Sequence, residues 1–233
     1  MNIGVRLEAI GRLVPQGCTF VDVGTDHAYL PVWLIQQGKI VSAVAGDIAE
    51  GPCRAASNTV AMYGVRDKID VRLGSGLQVI KPGEAECAAI AGMGASTMID
   101  IFEESPEVTA SMKQLVLQPM AGAASLRRWL CEHGWKIVDE DLVEDGVHFY
   151  EIISAVQGDG GLHTDAEYMI GTVLLKKGHP LLAKHFTRQL DGLKQLLKNM
   201  ERSEQAKATE KYINTKKLLL ETENLYKSVQ TRL

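Results

Sequence analysis

Phe20-Val21-Asp22-Val23-Gly24-Thr25-Asp26-His27-Ala28-Tyr29-Leu30-Pro31 is the stretch that decides the fold. It reads as a buried strand that ends in Asp-Val-Gly and passes at once into a helix. A second strand, Val41 to Asp47, follows and also ends in an acid. Open α/β sheets hold nucleotide-type ligands in this way. The glycine lets the backbone approach, the helix N-terminus supplies amide donors, and the second acid accepts the ribose hydroxyls. The three-glycine dinucleotide fingerprint is missing, because Thr25, Asp26 and His27 fill the turn after Gly24. Asp26 is a poor neighbour for a pyrophosphate, since two anions would share one small site. A ligand with a cationic or zwitterionic end suits the turn better, and S-adenosylmethionine carries a sulfonium, an amine and a carboxylate. Taken alone, the dodecamer also reads as an ordinary strand-to-helix turn.

Outward from this stretch, strands and helices alternate. Ile3, Leu7, Ile10 and Val14 recur at helical spacing and predict a helix over 3–14, stopped by Pro15 and Gly17. Strands are expected at 18–23, 41–46, 69–73, 87–91 and 114–118, with helices at 27–37, 50–63, 95–104 and 123–133. The strands are continuous apolar runs, as in a parallel sheet covered on both faces. Then the rhythm breaks. Trp135–Val143 and Phe149–Val156 flank Glu144-Asp145-Gly146, a strong hairpin signal. Five βα units closed by an antiparallel pair resemble the seven-stranded methyltransferase sheet, whereas an NAD-type sheet would continue βα.

Gln157-Gly-Asp-Gly-Gly161 reads as a linker. Beyond it Leu182, Phe186, Leu190, Leu193, Leu197 and Met200 form a heptad-like stripe, and Leu218, Leu225 and Val229 form a second. The expected fold is therefore α/β. A Rossmann-like seven-stranded methyltransferase sheet covers residues 1–160, and a C-terminal α-helical, coiled-coil-like hairpin covers 161–233.

The chain has 233 residues and a net charge of −4, unevenly spread. Residues 1–175 carry 12 Lys and Arg against 23 Asp and Glu, while residues 176–233 carry 13 against 6. A basic tail on an acidic core suggests a polyanion partner, with a solvated helix pair as the alternative. Neither a basic-plus-apolar leader nor an apolar run near the ~18 residues of a membrane span is present, so a cytoplasmic protein without membrane contact is expected. Cys18, Cys53, Cys87 and Cys131 show no C-x-x-C pairing, which argues against a zinc site or a disulfide framework, and no metal is expected.

Asp47 is the expected ribose acceptor, or else an N-cap for the next helix. Gly74-Ser75-Gly76 lies where an adenine ring would rest, or is a plain turn. Ala91-Gly92-Met93-Gly94 ends the fourth strand, where backbone groups and Met93 would line the methyl-donor pocket. The Asn- or Asp-Pro-Pro-aromatic tetrad of exocyclic-amine methyltransferases is absent there, which favours a ring nitrogen as the acceptor.

Val23-Gly-Thr-Asp-His-Ala-Tyr-Leu-Pro31, Glu50-Gly-Pro52, Ile90-Ala-Gly-Met-Gly94 and Leu115-Val-Leu-Gln-Pro119 together resemble the bacterial tRNA (adenine-N(1))-methyltransferases that modify adenosine at tRNA position 22. The resemblance covers residues 1 to about 156 in sequence and the basic tail in architecture. It implies S-adenosylmethionine as donor and tRNA as substrate. It implies a cofactor site lined by Gly24, Asp26, His27, Asp47, Ile48, Ser75, Gly76, Ala91 and Met93. Three positions depart from the family pattern: Ser75 replaces Asn or Asp, Ala95 replaces Gly, and Met120 replaces Asn.

The expected reaction is attack of the adenine ring nitrogen on the sulfonium methyl. Positioning supplies most of the rate, and the base must leave its pairing or stack. Tyr29, Met93 and Tyr150 are candidate platforms for that base. Asp26 is the first choice for the carboxylate that stabilises the cationic product or accepts a proton. His27 is expected to orient the base or Asp26, or to be structural. Gln118 is expected on the adenine edge, or as a polar strand end. Lys176, Lys177, Lys184, Arg188, Lys194 and Lys198 are expected to hold tRNA phosphates. A monomer or weak dimer is expected. The rival readings are a small-molecule S-adenosylmethionine-dependent methyltransferase with a dimerising tail and a non-catalytic nucleotide-binding module.

Overall fold

The computed structural model describes residues 1–231, and the chain divides into two compact units, Met1–Gly161 and Leu162–Leu233. The first unit starts with α1 (Gly4–Leu13) and runs through β1 (Cys18–Val23), α2 (Tyr29–Gln36), β2 (Ile40–Asp47), α3 (Glu50–Met62) and β3 (Ile69–Leu73). After a single turn of 3₁₀ helix at Gly76–Val79 come β4 (Cys87–Met93), α4 (Ala95–Glu103), α5 (Pro106–Ser111), β5 (Gln114–Pro119) and α6 (Ala123–Glu132). The hairpin β6 (Trp135–Asp145) and β7 (His148–Gln157) closes the unit.

The seven strands lie in the order β3-β2-β1-β4-β5-β7-β6. β1 to β5 are parallel, and β7 is antiparallel to both β5 and β6. Val21, Ala45, the run Cys87–Ile90 and the run Leu115–Leu117 have no exposed surface. Strands buried on both faces bring continuous apolar sequence, and the helices cover them. The order reverses beside β1, whose neighbours are β2 and β4, so the carboxyl ends of these strands splay and leave a crevice.

Two expectations change. The helix after β1 begins at Tyr29 rather than at residue 27. Gly24, Asp26 and Ala28 all have positive φ (72°, 53° and 55°), and this left-handed backbone cannot belong to a helix. The extra helix α5 fills the gap before β5. Pro106 starts it at a position where a missing N–H costs nothing, a signal present in the sequence but overlooked.

Arg127 of α6 is fully buried and pairs with Glu140 of β6 at 2.6 Å and with Glu151 of β7 at 2.8 Å. This ion cluster ties the closing hairpin to α6.

The second unit contains α7 (Asp165–Ile170), α8 (Thr172–Lys177), α9 (Leu182–Met200), α10 (Glu204–Lys207) and α11 (Glu210–Gln230). The Leu182, Phe186, Leu190, Leu193 and Leu197 stripe of α9 is buried. On α11 the buried positions are Thr215 and Thr222, with Leu218 half-buried between them and Leu225 and Val229 half-buried beyond. Each threonine hydroxyl donates to the carbonyl four residues back, Lys211 O and Leu218 O, which leaves its methyl to pack. The apolar stripe alone hid these two core positions. Among the described residues no helix is long and apolar enough to cross a membrane.

Candidate active site at the carboxyl ends of the strands

A cavity of about 420 Å³ opens where β1, β2, β3 and β4 end. Its walls include Gly24, Asp47, Ile48, Ser75, Gly76, Ala91, Gly92 and Met93. A smaller cavity of about 140 Å³ shares Gly24 and Ala91 as walls and is completed by Arg6, Asp22, Thr25, Asp26, His27 and Tyr29. The structure thus splits the expected cofactor residues, because Asp26 and His27 face the smaller space.

The larger cavity is shaped by backbone. Gly24 sits at φ 72°, and a Cβ there would stand 2.3 Å from Met93 Cε. Gly76 sits at φ 52°, and a Cβ would press on Ile101 at 3.0 Å. The left-handed backbone favours glycine at both, and at Gly76 a Cβ would also crowd the branched Ile101. The Asp47 carboxylate accepts from Asp26 N at 3.3 Å and from Ala49 N at 3.0 Å. It is not the N-cap of α3, a position that Ala49 occupies. Two amides therefore fix its orientation at the cavity wall, and its remaining lone pairs are available to a diol. Thr97, Asp100 and Glu104 also line this cavity. They recur at helical spacing along one face of α4 and its C-cap, which in sequence is indistinguishable from a solvated face.

The smaller cavity is built from side chains. Asp22 is 7 % exposed, and its Oδ2 accepts from Thr25 Oγ1 at 2.6 Å. Burial pushes its carboxyl up to about 6, against the pull of the Thr25 hydroxyl and of Arg6. His27 stacks on Tyr29 with centroids 5.1 Å apart, and its Nε2 lies 3.6 Å from Asp26 Oδ1. The Asp26 side chain is 72 % exposed, so this pair is open to solvent.

Gln118 and Tyr150 wall neither cavity, yet both meet Arg6. Arg6 Nη1 donates to Gln118 Oε1 at 2.8 Å, and the guanidinium carbon sits 5.5 Å from the Tyr150 ring centroid. Arg6, Asp22, Thr97 and Asp100 were not singled out from the sequence. Asp22 was legible as an acid two residues before the turn glycine. Arg6 had no signal, since a cation on an amphipathic helix reads as solvated.

In the second unit Lys176 and Lys177 end α8, and Lys184, Arg188, Lys194 and Lys198 are exposed on α9. At 100° per residue Lys184, Arg188 and Lys198 fall on the face away from the buried stripe, and Lys194 lies on its flank. Lys194 Nζ lies 3.1 Å from Glu223 Oε1.

The larger cavity fits an adenosyl group. There is a carboxylate for the diol, glycines for the flat ring, and volume in the range of ordinary ligand sites. Among the described residues no cluster of His, Cys, Asp or Glu could hold a metal. Strand order, closing hairpin and cavity together define a Rossmann-like methyltransferase.

Comparison with known proteins agrees. A family model described as a methyltransferase domain matches residues 3–153. The Bacillus subtilis tRNA (adenine(22)-N(1))-methyltransferase is 32 % identical over 98 % of this chain and 97 % of its own. A crystal structure of the B. subtilis M1A22 tRNA methyltransferase TrmK superposes with a TM-score of 0.85, at 31 % identity over 98 % of each chain. A Streptococcus pneumoniae candidate tRNA (m1A22) methyltransferase, solved in complex with S-adenosyl-L-methionine, is 32 % identical over 96 % of this chain and 99 % of its own, with a TM-score of 0.84. The chain belongs to the tRNA (adenine(22)-N(1))-methyltransferase family.

Proposed function

We propose that this protein transfers a methyl group from S-adenosylmethionine to N(1) of adenosine 22 in the D-arm of tRNA. The observation that carries the reading is the 98 % of this chain, both units included, matched by a relative of that activity. When bound, S-adenosylmethionine supplies the methyl group on its sulfonium. Asp47 holds the ribose hydroxyls, and Gly74, Ser75 and Gly76 admit the adenine ring beside Ile48. Gly24 and Ala91 wall both cavities, and Gly92 and Met93 line the larger one.

The acceptor base is held on the other side. Tyr29, stacked on His27, and Tyr150, under Arg6, offer aromatic surfaces for an unstacked adenine. Asp26 is the carboxylate placed to face the positive charge that the product ring acquires, and His27 orients it. Asp26→Asn should slow turnover with the fold unchanged; full turnover would remove Asp26 from this role.

The helical unit, residues 161–233, serves as the tRNA-holding domain, and the protein works in the cytoplasm as a monomer or weak dimer. The exposed cations of α8 and α9 contact phosphates, so affinity falls with salt. Replacing Lys184, Arg188 and Lys198 with Ala together should lower the salt slope of tRNA binding by roughly two to three. An unchanged slope would mean that this face does not touch tRNA.

The test of the activity is transfer of labelled methyl from S-adenosylmethionine to tRNA, with the nucleoside identified by mass. N(1)-methyladenosine that disappears when adenosine 22 alone is replaced is the expected result. Cofactor binding without transfer to any tRNA would favour a small-molecule acceptor, and failure to bind the cofactor would favour a non-catalytic module.

A further inference from the structure

Gln118, next to last in β5, is in register with Ala91, which walls both cavities, and has no exposed surface. Its two amide ends have unequal partners. Oε1 accepts from Arg6 Nη1 at 2.8 Å, and Nε2 lies 3.6 Å from Met120 Sδ. A guanidinium only donates, so the Arg6 contact settles the orientation of the amide. The carbonyl faces Arg6 and the NH₂ group faces the other way. A thioether is a weak acceptor, so this NH₂ is a buried donor with an easily replaced partner. Met120 is 55 % exposed and unbranched, hence free to swing aside.

We propose that Gln118 presents its NH₂ group to a ring acceptor of the target adenine other than N(1), that is N(7) or N(3). Arg6 is the positioning residue that fixes the polarity of the amide, and Met120 is the resting partner that the base displaces. The inference rests on the methyl-transfer reading. Neutral adenine carries acceptors at N(1), N(3) and N(7) and a donor at N(6). The N(1) lone pair forms the new bond to carbon, so a donor directed at it would suppress the reaction. A donor on N(7) or N(3) orients the ring and leaves N(1) free. Reversed polarity would present the Gln118 carbonyl, which those nitrogens repel. Arg6 is supported in this position by the Tyr150 ring, whose centroid lies 5.5 Å from the guanidinium carbon.

The experiment is single-turnover methyl transfer to tRNA carrying adenosine, 7-deazaadenosine or 3-deazaadenosine at position 22. It is run on the full-length wild type, Gln118→Glu and Arg6→Leu. Gln118→Glu keeps an acceptor for Arg6 and removes the donor. One of the two analogues should lower wild-type kcat/KM by about 5- to 100-fold, as for an unmet buried donor. Gln118→Glu and Arg6→Leu should lose a similar factor on natural tRNA and little more on that analogue, because the contact is already gone. Their affinity for S-adenosylhomocysteine should stay within about twofold of wild type, since the cofactor contacts are elsewhere. Equal wild-type rates on all three substrates would overturn the proposal without reference to any variant. Losses that multiply between variant and analogue would overturn it too. Arg6→Leu that weakens S-adenosylhomocysteine but keeps the analogue discrimination would overturn the role given to Arg6. A wild type that forms no methyladenosine on natural tRNA would instead sink the methyl-transfer reading on which the inference rests.

Discussion

Around Asp47 the larger cavity is shaped chiefly by glycines at the strand ends, whereas the smaller cavity is walled by side chains, among them Arg6, which in turn meets Gln118 of β5 and Tyr150 of β7. The first wall is set once the strands pair, because Gly24, Gly46, Gly74 and Gly76 have no rotamers to choose. The second wall depends on side chains holding one another: Arg6 on Tyr150, Gln118 on Arg6, Thr25 on Asp22, His27 on Tyr29. A wall of backbone suits a ligand that never varies. A wall of interlocked side chains suits a base that must enter, turn and leave. Changes on the first side should therefore act on cofactor affinity, and changes on the second on turnover.

The largest effect is expected on the first side. Asp47→Ala removes the proposed diol acceptor and leaves the amides of Asp26 and Ala49 without theirs. Loss of two charge-assisted bonds amounts to about 2–4 kcal/mol, or ~30- to 1000-fold in affinity for S-adenosylhomocysteine. Titration calorimetry reads this directly, and an unchanged Kd would place the ribose elsewhere.

Asp22 gives the next effect, on stability. Its folded-state carboxyl titrates at about 6, above the ordinary 3.8, so the folded protein holds a proton that the unfolded chain has released. This stabilisation is fully present below pH 4 and is lost as pH rises through 6, by about 3 kcal/mol at most. Asn needs no ionisation and can still accept from Thr25. Cofactor-free Asp22→Asn should therefore gain on the wild type in urea denaturation as pH goes from 4 to 8. A constant difference between the two across that range would contradict the buried, raised carboxyl.

The smallest effect sharpens the contrast at the turn between the two walls. Ala28 is fully buried at φ 55°, where an L-residue with a Cβ is strained. Ala28→Gly should raise stability by about 0.5–1 kcal/mol, visible as a higher melting temperature. It should also slow transfer, because a looser turn holds His27 and Tyr29 less firmly. A variant both more stable and equally fast would show that the strain has no part in positioning.

The first wall was legible because its chemistry is local. Strand-ending Gly24, Asp47, Gly76 and Met93 sit at fixed distances from strands that the apolar runs mark, and the parallel sheet brings their ends together. The closing hairpin was legible through Asp145-Gly146. The second wall was not, since Arg6 and Gln118 are 112 positions apart and meet only because α1 packs near the end of β5. A residue type on an amphipathic helix carries no mark of such a meeting. The helix start expected at residue 27 came two residues early for a related reason: the sheet and the Asp47 carboxylate impose on Asp26 and Ala28 a backbone that local preference disfavours.

The claim of two separately built sides is tested most directly by measuring S-adenosylhomocysteine affinity and single-turnover transfer at saturating cofactor on the same two variants, Asp47→Ala and Arg6→Leu. Asp47→Ala should lose affinity and recover most of its rate once the cofactor is saturating, whereas Arg6→Leu should keep affinity and stay slow. Parallel losses of affinity and rate in both variants would show one undivided site and contradict the account.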